Sequence, residues 1–285
     1  MKQRVIDPAV GLYGPGSMVW EVSRHTTVFF GAGRANLLQL AHPWVTHAID
    51  QHSATQTDPL GRLRRTFINV FSMVYGSLDQ VLDSSLRVYQ IHDGIRGKIS
   101  ESTGAFSKGS GYIANHVGSM IWVHATLWES ALKMYELFER PLSREEKERY
   151  YEETKLFAFL FGIPESMLPP NWHEFLEYNE KMWSSDQLKV GEVGRQLADY
   201  IFNMSFVLKP VLHRHRLHTA MLLPDRLREE FQLPEKNEKN MRAFERDVAV
   251  VKRLMPLMPR RIRYVPTYLE ALGRLEGRKE PDLLT

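Results

Sequence analysis

No cysteine occurs in the 285 residues. Disulfides, cysteine-ligated zinc, iron–sulfur clusters, thiolate-ligated heme and covalently attached heme are therefore excluded. The absence also suits a reducing compartment, and a cytoplasmic protein is expected. No stretch approaches the roughly 20 apolar residues that a membrane-spanning helix needs. The opening MKQRVIDPAVGLYGPGS carries charge but no apolar run, so it does not read as a signal peptide. The expectation is a chain without a transmembrane segment, in contact with a membrane at most by resting on its surface. Charge of one sign is lacking too. Lys and Arg number 37 against 34 Asp and Glu, and a net charge of +3 without a basic stripe argues against a nucleic-acid partner.

Strand-like alternation is scarce, and helical periodicity dominates what remains. A helix over about 30–40 should stop at Ala41-His42-Pro43, because proline cannot continue the backbone ladder. Asp58-Pro59 reads as an N-cap followed by a first-turn proline. The helix it opens carries Leu60, Leu63, Phe67, Val70, Phe71 and Val74 on one face. Ser77 with Gln80 has capping-box spacing and starts a second helix, with Leu78, Val81, Leu82, Ser85, Tyr89 and His92 along one side. Residues 98–111 are polar and glycine-rich, which predicts a mobile loop. A long helix is expected over 113–139, another from Ser143 to Gly162, and a shorter one capped by Asn171. Further helices are expected over 191–207, 209–223, 237–255 and 266–275. The fold class is all-α, a single multi-helix domain over 1–285, with no internal repeat and no long linker.

Arg62, Arg65, Thr66 and Asn69 recur at i, i+3, i+4 and i+7 and so share one helix face. Such a face is either solvated or the wall of a cavity for something anionic or oxygen-rich, and the pattern alone does not separate the two. His92 lies in register with Leu82 and Tyr89. It is either a hydrogen-bonded core histidine or a neutral imidazole placed to ligate metal. His124 falls between Trp122 and Trp128, where core packing is the default. His42, His47 and His52 surround a helix started by proline and suit structural roles. His213, His215 and His218 lie in HRHRLH, with no carboxylate at a metal-ligand spacing, so a metal-dependent hydrolase there is disfavoured.

The segments LLQLAHPWV with Gln51-His52-Ser53, DPLGRLRRTF, YQIHDGIRG, WVHATLWES and FGIPESMLP run in that order through residues 37–169. As an ordered set they resemble the family that contains latex clearing protein, the bacterial rubber oxygenase, and the ER-bound oxygenase of mycophenolic acid biosynthesis. The resemblance implies a globin-like, heme-binding helical core over about 30–185, with helices of 190–285 packed on it. It also implies heme b, with the iron held by His92. On the opposite side the family's Arg-x-x-Lys-Thr pattern maps onto Arg62, Arg65 and Thr66. There Arg62 and Arg65 would stabilise negative charge developing on oxygen, and Thr66 would offer a hydroxyl. The implied partners are dioxygen and an apolar, isoprenoid-like small molecule, oxygenated or cleaved at a carbon–carbon double bond. Two departures stand out. Arg65 replaces a lysine that ligates iron in the resting relative, and a guanidinium does not ligate. Asn115-His116 replaces an Asp-Pro pair. A heme sensor or carrier without turnover is the alternative that the first departure raises.

Overall fold

The computed structural model describes residues 7–53, 58–203 and 209–278. Its described residues form fourteen α-helices, three short 3₁₀ segments and one two-stranded hairpin, so the domain is all-α as expected. Local chemistry sets many of the boundaries. Helix α1 (Met18–Ser23) is capped by Ser17, which accepts from Trp20 N at 3.2 Å. Helix α2 (Ala32–Leu40) ends before His42-Pro43, and Pro43 opens α3 (Pro43–His52). Asp58 caps α4 (Pro59–Tyr75) by accepting from Gly61 N at 3.0 Å. The Ser77/Gln80 capping box opens α5 (Leu78–Asp93).

The chain then makes a hairpin, β1 (Arg96–Lys98) against β2 (Gly111–Ile113), with Gly97 opposite Tyr112. The loop expected over 98–111 is the connection between these strands, with its end residues Lys98 and Gly111 paired in the hairpin. Ile99 and Tyr112 are buried and anchor the hairpin's two arms. Gly104 and Gly109 take positive φ values of 57° and 84°, which side chains rarely adopt, and so let the turns close. The tip is fastened as well. Ala105 N donates to Asp186 O at 2.9 Å, and the Glu101 carboxylate accepts from Glu192 N and Val193 N at 3.0 and 3.1 Å.

Helix α6 (Val117–Phe138) runs through the centre, with fourteen of its 22 residues buried; a helix apolar on all sides belongs inside. Trp122 and Met134 join one apolar cluster, Trp128 and Leu132 a second, and Met120 and Ile121 a third. Around it lie α7 (Arg144–Leu160), opened by the Ser143/Glu146 capping box, and α8 (Trp172–Ser184), capped by Asn171. They are followed by α9 (Glu192–Asn203), α10 (Lys209–Leu222), α11 (Asp225–Glu230), α12 (Glu238–Leu254), α13 (Arg260–Arg263) and α14 (Pro266–Leu275). Residues 204–207 of the helix expected over 191–207 lie outside the described residues. Helices α9, α10 and α12 share the first apolar cluster with α2 and α6, so the C-terminal helices pack directly on the earlier ones. The two ends of the described chain also meet: Val265 N donates to Arg24 O at 2.9 Å, and Tyr268 packs edge-on against Trp20.

Two polar networks are built into this interior. Arg34, 1% exposed, pairs with Glu129, donates to Ser130 Oγ at 2.7 Å and Leu222 O at 2.9 Å, and lies over the Trp183 ring. Asp247 of α12 accepts from Arg214 and from His218 Nε2 of α10, at 2.8 Å for the histidine. Arg214 first, then His218, hold the Asp247 carboxyl below the usual carboxylate range. No described helix is long and apolar enough to cross a membrane.

Candidate functional site

Helices α4 and α5 form an antiparallel pair whose register is fixed by one contact. Ser84 Oγ of α5 donates to the backbone carbonyl and the side-chain carbonyl of Asn69, both at 3.1 Å. Asn69 therefore faces α5. Arg62 precedes Asn69 by seven residues, close to two full turns, so it lies on the same α5-facing side about 10 Å farther from the α4–α5 turn. Seven and eight residues beyond Ser84 come Ile91 and His92. By helix rise, Arg62 and His92 therefore lie at similar distances from this contact, toward the ends of their helices away from the α4–α5 turn.

The inner side of α5 differs from the one that periodicity suggested. Val81, Ser84 and Ser85 are buried, whereas Leu82 and Tyr89 are 51% and 47% exposed. Small hydroxyl side chains let α5 approach α4 closely, and this contact outweighs the hydrophobicity of the opposite face. His92, in helical register with Val81 and Ser85, is half-buried in the last turn of α5.

Burial pushes the His92 pKa down, so the imidazole is neutral at neutral pH, while Asn115 acts in the opposite direction. The hairpin brings Asn115 there: Ala114 N donates to Ile95 O at 3.0 Å, which returns the chain to the end of α5. The amide comes close enough to favour the charged imidazole, yet no hydrogen bond is completed. His92 Nδ1 and both amide atoms of Asn115 are buried without a partner. The two side chains therefore form a near pair, in which a small adjustment would let each complete the other's hydrogen bond. Phe161 stacks on the His92 ring at a centroid distance of 6.3 Å. Beyond Asn115 lies an aromatic wall. Trp44 meets His116 edge-on at 4.7 Å, and Phe106 lies 5.3 Å from both His42 and Trp44. Burial, then His116, lowers the His42 pKa to about 4.

Arg62 is half-buried, and burial alone shifts its pKa, downward; no acidic group offsets the loss of water. It makes no ion pair among the described residues. Arg65, by contrast, is exposed and donates to the capping Asp58 at 3.0 Å, and Thr66 is exposed. Of the four predicted site residues, then, the fold sets Arg62 and His92 toward the same end of the helix pair and leaves Arg65 and Thr66 on the outer border of the same helix side.

His124, His47 and His52 are committed elsewhere. His124 is buried, bonds Thr154 O through Nε2 at 2.9 Å, and has its pKa lowered by burial to about 4. His47 bonds Pro43 O and Ser100 Oγ, and His52 bonds Arg96 O. Among the described residues no three His, Cys, Asp or Glu side chains, those of the HRHRLH run included, gather where they could hold a metal ion. A heme asks less of the protein: one neutral imidazole, apolar or aromatic surroundings and cations near its charged edge. His92, Phe161 and Arg62 fit that requirement.

Residues 20–254 match the family described as ER-bound oxygenase mpaB/B'/Rubber oxygenase, catalytic domain. The chain belongs to this family. Membership in the MpaB/rubber-oxygenase catalytic-domain family gives the protein an oxygenase-type activity as its general class. The match includes the α4–α5 pair and the hairpin that follows, so the residues around His92 lie inside it. Compared with curated proteins and with solved structures, the chain matches none. Asn115 and Phe161 escaped the sequence reading as neighbours of His92. The signal available was Asn115 itself, at a position where the family resemblance expects a carboxylate.

Proposed function

We propose that this family member is a heme b oxygenase of an apolar, isoprenoid-like substrate, with His92 as the iron ligand and Arg62 as the cation on the facing helix. The support comes from Arg62, a half-buried cation without a counter-charge among the described residues, on the helix that pairs with the one bearing a neutral, half-buried histidine. An unpaired charge is costly in such a place unless something anionic arrives to meet it.

Heme b, when bound, would supply the redox chemistry that activates dioxygen toward a carbon–carbon double bond. His92 provides a nitrogen lone pair at neutral pH, because burial keeps the ring unprotonated. Asn115 is placed to orient the ring: were its Oδ1 to accept from Nδ1–H once heme is bound, it would select the tautomer that leaves Nε2 free for the metal. A neutral amide would do this without adding charge, unlike a carboxylate. Arg62 holds a fixed positive charge toward which negative charge can develop, and it cannot lose its proton to do so. Arg65 and Thr66 border this side of α4 and offer further donors at the entrance. Phe161 and the aromatic wall keep water from the imidazole.

Reconstitution with heme tests the assignment. One heme per chain is expected, and His92→Ala should lose the Soret band while keeping its helical circular dichroism. A variant that binds heme like the parent would remove His92 as the ligand. The pairing of Arg65 with Asp58 favours a second reading, a heme sensor or carrier, because it leaves Arg62 as the one uncommitted cation of this helix side. Oxygen consumption with apolar alkenes decides between them: turnover supports the oxygenase, and its absence in the heme-loaded protein supports the carrier.

A further inference from the structure

Between Asp247 and Glu270 the sequence contains no acidic residue, yet Lys252, Arg253, Arg260, Arg261 and Arg263 all fall there. Arg263 turns inward onto the Tyr264 ring and toward Glu139. The other four are exposed and form no ion pair among the described residues. Most basic side chains elsewhere find a carboxylate, as Arg140 does with Glu146 and Arg226 with Glu230.

Large aliphatic side chains are exposed among these cations. Val250 is 49% exposed, Leu254 46%, Leu257 74% and Ile262 52%. Val250, Arg253, Leu254 and Leu257 follow at i, i+3, i+4 and i+7 along the end of α12 and the turn after it, so they occupy one side. Helix α13 then adds Arg260, Arg261 and Ile262. The segment is held firmly from behind, since Thr26 Oγ1 donates to Ile262 O at 2.6 Å and Val265 N to Arg24 O. The outward side chains therefore project from a fixed base.

We propose that this face docks on the surface of a bilayer rich in anionic phospholipid. Its cations would meet the headgroups, with Leu257, Leu254 and Ile262 entering the interfacial layer. Charge complementarity decides the occupant. Basic residues interleaved with exposed aliphatics, along a stretch of sequence without acids and with Glu139 turned to Arg263 behind it, suit an anionic interface that is apolar just beneath. A second copy meeting this face by two-fold symmetry would set the four cations against four. Nucleic acid would call for exposed aromatics to stack on, and the exposed large side chains here are aliphatic. The inference stands apart from the heme assignment, as it involves none of those residues.

The test is co-sedimentation of the full chain with vesicles of phosphatidylserine in phosphatidylcholine, and with pure phosphatidylcholine, at low and high salt. Binding should appear with the anionic vesicles and weaken with salt. Arg260→Glu combined with Arg261→Glu should weaken it by at least about tenfold. Both sites are exposed, so the melting transition should not change. Because the chain has no cysteine, Leu257→Cys gives a single position for a polarity-sensitive dye, which should shift to the blue on anionic vesicles alone. Absence of binding at low salt, equal binding by the charge-reversed variant, or a dye that stays in water would each overturn the proposal. So would a dimer in sedimentation velocity that Leu257→Asp dissociates.

Discussion

Replacing Arg62 with methionine separates a functional cation from a solvated one, because the two readings give opposite outcomes for stability. Methionine keeps most of the unbranched apolar stem and removes the guanidinium. In the folded protein that charge has lost water and gained no acidic partner, and its pKa is lowered for that reason alone. The full penalty for a deeply buried ion is several kcal/mol. Arg62 is only half-buried, so solvent screening reduces the figure to about 1 kcal/mol. Arg62→Met should therefore stabilise the heme-free protein by roughly that amount and raise Tm by about 2–4 °C. The gain should not vary across neutral pH, since burial lowers the Arg62 pKa without removing the guanidinium proton there. Function should move the other way, with weaker heme retention or slower oxygen consumption. Arg64→Met, at an exposed neighbour on the same helix, is the control and should change neither. Calorimetry of the apo proteins and heme titration provide the readings. If Arg62→Met melts at or below the parent temperature and handles heme as the parent does, Arg62 is an ordinary surface arginine and the reasoning fails.

Arg34→Ala should cost about 3–5 kcal/mol in urea unfolding, because Glu129 is left charged and buried without its partner. The pair Arg34→Met with Glu129→Leu should cost less than either single change, and a strictly additive result would show that the two act separately. For pH, His42, His124 and His215 all have their pKa lowered to about 4, chiefly by loss of water, against 6.5 when unfolded. Between those values the unfolded chain binds more protons. Stability should be complete above pH 6.5 and fall as the pH drops toward 4, by up to about 4.1 kcal/mol per unit for three protons. Replacing His124 with Gln should reduce that slope by about a third, and a slope unchanged by the substitution would count against it.

Side-chain chemistry made the helix ends legible. Asp58 with Pro59, Ser77 with Gln80, Ser143 with Glu146 and Asn171 with Glu174 satisfy orphan amides within three residues, so no tertiary information is needed to read them. How residues 98–111 are held was not legible, because composition does not record anchoring. Glu101 caps a helix that begins 91 residues later, and only the fold brings the two together. On α5 aliphatic side chains occur all round, and what buried Ser84 and Ser85 was the approach of α4. The candidate site divides along the same line. His92 and Arg62 stood out by type, position and family pattern. Their similar distances along the pair follow from the Asn69–Ser84 contact, and the place of Asn115 from a hairpin that composition did not disclose.

The meeting of the two ends has a practical consequence for anyone who trims this protein to its recognisable portion. The family match stops at residue 254, but Val265, Tyr268 and Arg274 lie beyond it and close over the first helix. Arg274 reaches the backbone of Ala9 and of Tyr75, and Tyr268 covers both Trp20 and Tyr75. A truncation at 254 would turn those two rings toward water and leave backbone carbonyls uncovered beside them. Such a fragment would be sticky where the full chain is closed, so expression trials should extend at least through Leu275.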